Sequence, residues 1–162
     1  DREMYYLAVN RLSAAGYRRY EISNFAEPRY ECAHNIIYWR TKPYLGIGAG
    51  AHSYIDGIRF SNETSPPEYI GAIGSGTLPV VETEKLTEDD MISEYMFMGL
   101  RMTDGISLDE FKRRFGADVR DIYKDEIEDL LKKGLIRIDG PKMSLTDRGT
   151  DISNQVFVEH LR

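Results

Sequence analysis

The sequence has almost no cysteine and no long apolar run. Its single cysteine, Cys32, excludes an intrachain disulfide and favours a reducing, cytoplasmic setting. No apolar stretch approaches the roughly 18 residues that a transmembrane helix needs, so we expect no membrane-spanning segment. The chain opens with neither an initiator methionine nor a signal-peptide pattern. We therefore expect a sequence that begins part-way through a larger protein.

Positive charge is scarce in the second half of the chain. Residues 1–81 carry eight acidic and eight basic side chains, whereas residues 82–162 carry nineteen and thirteen, which accounts for the net charge of -6. Nucleic-acid affinity rests largely on Lys and Arg contacts with phosphates, so this balance argues against a nucleic-acid partner. The hydrophobic fraction of 41% is ordinary and allows a packed core.

The first third of the chain predicts an α/β arrangement. Apolar residues spaced by three and four predict a surface helix over Met4–Ala15, and alternation predicts a strand over Tyr17–Phe25. The segment Glu31–Tyr38 fits either a short helical turn or an extended segment. The segment Tyr44–Ala51 is too rich in glycine for a helix interior, and we predict a strand that runs into a loop.

The middle of the chain predicts a hairpin and a short helix. Asp56-Gly57 is a type I′ turn signal within Ser53–Ser61. A short helix is expected over Glu68–Ser75, with Ser65 as its cap and prolines in the first turn. The following segment, Val80–Lys85, suits either a linker or an edge strand.

The last part predicts three helices, a hairpin and a closing helix, which is typical of a winged-helix domain. The first two helices are expected to be capped by Thr87 and Ser107. We predict the third helix over Asp118–Lys133 and the hairpin over Leu135–Leu145. The closing helix is expected to start at Thr146 and to include the apolar residue Leu161.

The most unusual stretch is His34–Ser53. It holds two of the three histidines and the only tryptophan, and it ends in the alternating glycines Gly46, Gly48 and Gly50. Such glycines allow either a close approach of the backbone to a ligand or tight internal packing, and both alternatives stay open. The stretch is not a phosphate loop, because the Lys-Ser/Thr ending is missing.

Several short motifs carry a family resemblance. They are Tyr20-Glu21-Ile22-Ser23-Asn24-Phe25-Ala26, His34-Asn35-x-x-Tyr38-Trp39, Tyr44-Leu45-Gly46-Ile47-Gly48-Ala49-Gly50-Ala51-His52-Ser53, Glu94-Tyr95-Met96-Phe97-Met98-Gly99-Leu100-Arg101, Leu145-Thr146-x-x-Gly149 and Asn154-x-Val156-Phe157. Together they resemble the oxygen-independent coproporphyrinogen III oxidase family of radical SAM proteins. Within it they resemble the HemW-like branch, whose members are described as haem chaperones.

The resemblance implies an α+β fold in three parts. Residues 1–60 would be the terminal piece of a partial (β/α) radical SAM barrel. Residues 61–84 would be a connecting segment with a short helix, and residues 85–162 a winged-helix-like, mainly helical HemN C-terminal domain. The chain would then be a C-terminal fragment that covers the cofactor and substrate cavity of its parent, and the parent's N-terminal barrel would be its partner. An exposed barrel edge would also allow self-association.

The same resemblance implies cofactors in the parent and none in this chain alone. The parent would hold a [4Fe-4S] cluster and S-adenosylmethionine, and would act on haem or porphyrinogen as a haem chaperone or an oxidase. The cluster is held by a Cys-x-x-x-Cys-x-x-Cys motif that is absent here, and Cys32 alone cannot replace it. We therefore expect no catalytic residue and no metal ligand set in this chain, which should be inactive by itself.

The resemblance also points to candidate binding residues. His52, Gly48, Gly50 and Ala51 would lie on the S-adenosylmethionine side. The haem candidates are His34, as an axial ligand, with Tyr38 and Trp39 stacking on the porphyrin. The alternatives are a histidine that orders Trp39, and aromatic rings that belong to the core.

Two further hypotheses remain. Cys32 could be a thiolate ligand, although a buried cysteine acting as a small hydrophobe is the commoner case. The whole chain could instead be a non-catalytic winged-helix module that binds protein or DNA. The acidic third helix argues against the DNA version of this hypothesis.

Overall fold

The computed structural model describes residues 2–160, with side chains up to Val158. The described residues form two compact units, one from the ranges Asp1–Arg40 and Ile92–Arg162 and the other from Thr41–Met91. Helices and antiparallel sheets are mixed, so the fold class is α+β, as predicted. None of the described helices is long and apolar enough to cross a bilayer. The predicted division at residues 60/61 and 84/85 stays a prediction.

The elements follow one another along the chain without a repeat. In order they are α1 (Arg2–Ala14), β1 (Arg18–Arg19), β2 (Phe25–Ala26), α2 (Ala33–Trp39), β3 (His52–Ile55), β4 (Ile58–Asn62), α3 (Pro66–Gly74), β5 (Val80–Lys85), α4 (Glu88–Gly99), β6 (Ile106–Ser107), α5 (Leu108–Phe115), α6 (Val119–Ile122), α7 (Lys124–Lys132), β7 (Ile136–Asp139), β8 (Lys142–Leu145), α8 (Asp147–Asp151) and α9 (Ser153–His160).

The core of the first unit lies between helices α4, α5, α7 and α9 and the three-stranded sheet β6-β8-β7. Its most deeply buried large side chains include Met96, Ile106, Phe111, Leu130 and Met143. Burial of such side chains is the main favourable contribution to folding. One methionine of α4, Met96, reaches this core and packs there as an apolar group.

Local capping explains where helices α4 and α5 begin. The hydroxyl of Ser107 accepts a hydrogen bond from the Glu110 N–H at 3.2 Å, as the sequence predicted. Thr87 and Asp90 cap α4 reciprocally, since each accepts a hydrogen bond from the other's backbone N–H. The Thr87 hydroxyl and N–H also hold the pKa of Asp90 below its ordinary value.

Two predicted helices are each broken in the structure. The helix predicted over Asp118–Lys133 is interrupted at Tyr123, which leaves helical geometry with φ -112° and ψ 42° and has its side chain in the core. The closing helix is interrupted in the same way at Ile152, with φ -122° and ψ 28°. Leu161, predicted for that helix, lies outside the described residues.

The second unit is built on the antiparallel sheet β3-β4-β5. Asp56 and Gly57 have φ of 51° and 74°, so the type I′ turn is confirmed. Strand β5 pairs with β4 along its length. The segment Val80–Lys85 is therefore an edge strand and not a linker. Helix α3 has Ser65 at its N-cap position, as predicted, but it begins at Pro66 and not at Glu68, and the Ser65 side chain makes no capping hydrogen bond.

The strand predicted over Tyr17–Phe25 is wrong. The segment instead forms two very short strands, β1 and β2, that pair with each other through Arg18↔Ala26 and Arg19↔Phe25. The five residues between the strands form a tight turn, in which Tyr20 N–H donates to the carbonyl of Asn24 at 3.1 Å. The chain turns here because the Glu21 side chain is buried and bonded, as described below.

The strand predicted over Tyr44–Ala51 is also wrong. The segment has one isolated bridge, Tyr44↔Tyr54, and is otherwise irregular. Gly48 and Gly50 have φ of 112° and 70°, which an extended strand does not allow. The ambiguous segment before it is helical, since α2 covers most of Glu31–Tyr38.

The Leu145-Thr146-x-x-Gly149 motif has a packing explanation. The Thr146 hydroxyl donates to the carbonyl of Gly134 at 2.8 Å and accepts from the Gly149 N–H at 3.0 Å. A Cβ at Gly149 would collide with the backbone carbonyl of Leu135. The motif therefore joins the end of the hairpin to the segment after α7, and only glycine fits its last position.

We expect the substitution Gly149→Ala to destabilise the chain by about 1–3 kcal/mol, because the added methyl group has no space against backbone atoms. The matched control is Gly71→Ala on helix α3, where nothing lies within 4 Å of the added Cβ. That change should be neutral or stabilise by up to about 1 kcal/mol. Chemical denaturation of both variants measures the difference, and equal effects would contradict the packing argument.

Candidate functional site

A buried ion pair in the first unit joins two of the motif segments. Glu21 is 0% exposed, and its Oε1 accepts a hydrogen bond from Arg101 Nε at 2.9 Å and lies 2.7 Å from Arg101 Nη2 in an ion pair. Its Oε2 accepts from the Ser23 N–H at 2.9 Å and from Asn24 Nδ2 at 2.6 Å. Both carboxylate oxygens are thus bonded, as a buried charge requires.

The backbone around this pair is joined as well. Ile22 N–H donates to the carbonyl of Arg101 at 3.1 Å, and Thr103 N–H donates to the carbonyl of Tyr20 at 3.1 Å. The Thr103 hydroxyl donates to the carbonyl of Arg19 at 3.2 Å. The turn between β1 and β2 is therefore fixed to the segment after α4 by main chain and side chains together.

The third motif, on helix α2, meets the same pair. The Arg101 guanidinium lies 4.6 Å from the centre of the Trp39 ring, in a cation–π contact. The Trp39 Nε1 is buried and has no acceptor among the described residues. Next to it, Arg40 Nη1 donates to the carbonyl of Gly105 at 2.6 Å and also pairs with Asp104. The end of α2 is thereby anchored to the segment that follows α4.

His34 lies one turn before this anchor and is exposed. Its Nε2 is 3.1 Å from the Tyr38 hydroxyl, and the two rings meet edge to face with centroids 4.8 Å apart. A tyrosine partner of this kind orients an imidazole, as partners of ligating histidines commonly do. The contacts of His34 described here are with Tyr38, and the hypothesis that His34 orders Trp39 stays a prediction.

Cys32 sits at the N-cap position of the same helix, and its side chain makes no capping hydrogen bond. It is an exposed free thiol. The expectation of a buried cysteine acting as a small hydrophobe is therefore wrong.

Glycine is needed at Gly46, Gly48 and Gly50 of the second unit for different structural reasons. A Cβ at Gly46 would collide with the carbonyl of His52, so Gly46 is needed for internal packing. A Cβ at Gly48 would meet nothing within 4 Å, and one at Gly50 only the Thr64 methyl group, at 3.9 Å. Both of these residues are needed for their positive φ.

The backbone of this glycine segment is bonded within its own unit. Asn62 Nδ2 donates to the carbonyls of Gly46 and Gly48 at 3.2 and 3.0 Å. Gly48 N–H donates to the Tyr69 hydroxyl at 3.2 Å, and Gly50 N–H donates to the carbonyl of Glu63 at 2.8 Å. The segment is therefore held as a defined loop, with Ala51 half-buried at its end.

His52 opens strand β3 and is exposed. It lines a groove of about 440 Å³ on the sheet of the second unit. The other lining residues are Arg59, Phe60, Ser61, Glu82, Thr83 and Glu84. The groove is open and mixed in charge, with an imidazole at one end and two carboxylates on the edge strand.

Residues 86–152 match the family model described as the HemN C-terminal domain. A protein named Heme chaperone HemW from Bacillus subtilis is 38% identical over 157 residues, covering 97% of this chain and 41% of that protein. A protein of the same name from Lactococcus lactis is 35% identical, over 98% of this chain and 41% of its own length. The chain belongs to the HemN/HemW family.

The similarity on which this family membership rests covers only part of each relative's length. The chain spans about two fifths of the length of these two proteins. A further relative of the same name, from Mycobacterium tuberculosis, is 36% identical over 94% of this chain and 37% of its own length. The family resemblance of the motifs is confirmed by these relatives.

The fold also matches that of a solved HemN structure. The structure is described as coproporphyrinogen III oxidase (HemN) from Escherichia coli, a radical SAM enzyme, and it covers 95% of this chain with a TM-score of 0.68. The match extends over 39% of that enzyme, at 17% identity. The shared feature is the mixed α+β fold.

The candidate residues of the HemN/HemW chain fall into two groups. His34, Tyr38 and Trp39 lie on helix α2 of the first unit, whereas His52 and the glycine segment belong to the second unit. Within the first group, Trp39 packs with Arg101 and only His34 and Tyr38 form an exposed pair. The roles of Glu21 and Arg101 were missed, although both residues stand in the family motifs.

We expect Arg101→Met to destabilise the protein by about 3–5 kcal/mol, because it leaves the Glu21 carboxylate buried without its cation. The control is Arg120→Met, which breaks the pair with Asp118, where the Arg120 side chain is 56% exposed, and it should cost about 1 kcal/mol or less. Urea denaturation of the two variants measures both values. A small effect of Arg101→Met would show that the pair is not a major source of stability.

Proposed function

We propose that this chain is part of a haem-handling protein of the HemW type. The observation that carries the proposal is 38% identity, over nearly the whole chain, to a protein named Heme chaperone HemW. The structural neighbour is described as a radical SAM enzyme, which supports a [4Fe-4S] cluster and S-adenosylmethionine in the whole protein. Cys32 is the only cysteine here, so this chain cannot supply a set of cluster cysteines.

We propose His34 as the residue that binds haem. Haem iron takes an imidazole nitrogen as an axial ligand, and His34 is exposed at the start of a helix whose far end is anchored. The His34 imidazole suits this role, because Tyr38 contacts its Nε2 and its Nδ1 has no partner among the described residues. Tyr38 would orient the ring, and Trp39 would support the helix through its contact with Arg101.

We propose that Gly48, Gly50, Ala51 and His52 lie on the S-adenosylmethionine side of the whole protein. The open space around Gly48 and the exposure of His52 support this role. A bound S-adenosylmethionine supplies the radical chemistry of such proteins. The residues of this chain would contribute shape and one imidazole, and no step of the chemistry is assigned to them.

The finer domain assignments are part of the same proposal. We propose a winged-helix-like domain for residues 85–162, supported by the order of helices, hairpin and closing helices around the sheet β6-β8-β7. We propose that residues 1–60 end a radical SAM barrel, which the similarity of relatives over this range supports. A cytoplasmic location is supported by the single cysteine.

The rival hypothesis of a non-catalytic interaction module has weaker support. The names of the relatives favour haem handling over a module that binds protein or DNA. Helix α7 begins with Asp125 and Glu126 in its first turn, which is unfavourable for contact with phosphates.

Haemin titration tests the haem proposal. We expect the 162-residue chain to give a Soret band characteristic of histidine-bound haem. We expect His34→Ala to weaken binding by about tenfold or more, because the iron loses its axial ligand. His52→Ala is the matched control, because it removes an exposed imidazole in the other unit. This variant should bind haemin as the unchanged 162-residue chain does. Identical Soret spectra for the chain and for His34→Ala would remove His34 as the ligand.

A further inference from the structure

A small cavity in the first unit has three arginines among its lining residues. It has a volume of about 90 Å³, and its charged lining residues are Arg19, Arg101, Arg137 and Asp147. The cavity is large enough for a few water molecules or one small polyatomic ion. It is far smaller than the pockets of several hundred Å³ that hold drug-sized ligands, so a porphyrin does not fit.

The charges around this cavity do not balance. Arg101 is neutralised by the buried carboxylate of Glu21. Arg19 faces Asp147 at 3.6 Å, but the Asp147 side chain is 92% exposed, and such a pair is weak in water. Arg137 donates from Nε to the neutral Ser144 hydroxyl at 3.1 Å. The cavity therefore keeps a positive surplus, although the chain as a whole is acidic.

The arginines are carried by fixed backbone. Arg137 lies on β7 in register with Ser144 on β8. The carbonyl of Arg19 accepts from the Thr103 hydroxyl at 3.2 Å, and its Nη1 donates to the Tyr5 hydroxyl. A guanidinium held in this way loses little conformational freedom when it binds a ligand.

We propose that this cavity binds a small oxyanion group, with Arg137 and Arg19 as its charged donors. Guanidinium groups form paired, charge-assisted hydrogen bonds with planar or tetrahedral oxyanions, and carboxylate and phosphate share this chemistry. Thr150 also lines the cavity, and its side chain carries a hydroxyl, which is a further type of donor. None of these residues belongs to the proposed haem contact on α2, so the two proposals stand or fall separately.

Calorimetric titration of the chain with inorganic phosphate tests this proposal. We expect saturable phosphate binding that chloride at equal ionic strength does not reproduce, and a loss of about tenfold or more in affinity for Arg137→Gln. Arg148→Gln is the matched control, because Arg148 on the neighbouring helix α8 is exposed, as Arg137 is, but does not line the cavity. It should bind phosphate as the unchanged chain does.

A second arm separates the sources of the oxyanion. Titration with acetate in place of phosphate should show binding if the site accepts carboxylates. It should show no binding if the site selects phosphate. When phosphate binds, either result agrees with an oxyanion site. Arg137→Lys keeps the charge but loses the paired geometry, so its affinity should fall between those of the chain and Arg137→Gln. Absence of phosphate binding, or equal losses in Arg137→Gln and Arg148→Gln, would overturn the proposal.

Discussion

The first unit depends on one buried ion pair. Glu21 has no contact with solvent and receives all its compensation from Arg101, Ser23 and Asn24. A carboxylate can be buried only with such partners, because its desolvation costs several kcal/mol. The residues around Glu21 must therefore turn back toward its Oε2, and the end of α4 must approach its Oε1. Two segments that are 80 residues apart are thereby fixed to each other.

This constraint extends to the candidate haem residue. Arg101, held by Glu21, stacks on Trp39, and Arg40 bonds to the Asp104-Gly105 turn. Both contacts fix the C-terminal end of α2, whereas His34 stands at its exposed start. Because α2 has only two turns, a fixed end leaves little freedom at the other. The pair thus positions an exposed imidazole without contacting it.

Features that depend on neighbouring residues were predictable from the sequence. The Asp56-Gly57 turn and the Ser107 cap follow from the backbone preferences of two or three residues. The residues of Tyr17–Phe25 do alternate, but the strand predicted there is wrong. The chain turns at Glu21 to reach a partner that is distant in sequence, and a local pattern cannot show this. Likewise the family resemblance led to His34, whereas nothing local showed that Arg101 completes a buried pair. A long-range side-chain contact thus decided the segment Tyr17–Phe25, whereas the positive φ of Gly48 and Gly50 decided the segment Tyr44–Ala51.

The glycine segment and the arginine-lined cavity differ in the hydrogen-bond donors that they offer to a ligand. In a phosphate loop the backbone N–H groups point at the ligand. Here those of Gly46, Gly48 and Gly50 are bonded to Ser53, Tyr69 and Glu63 within their own unit. The glycines therefore offer a surface without side chains, and their N–H groups are not available to an anion. The proposed oxyanion site uses guanidinium groups instead, which are among the groups that line the cavity of the first unit.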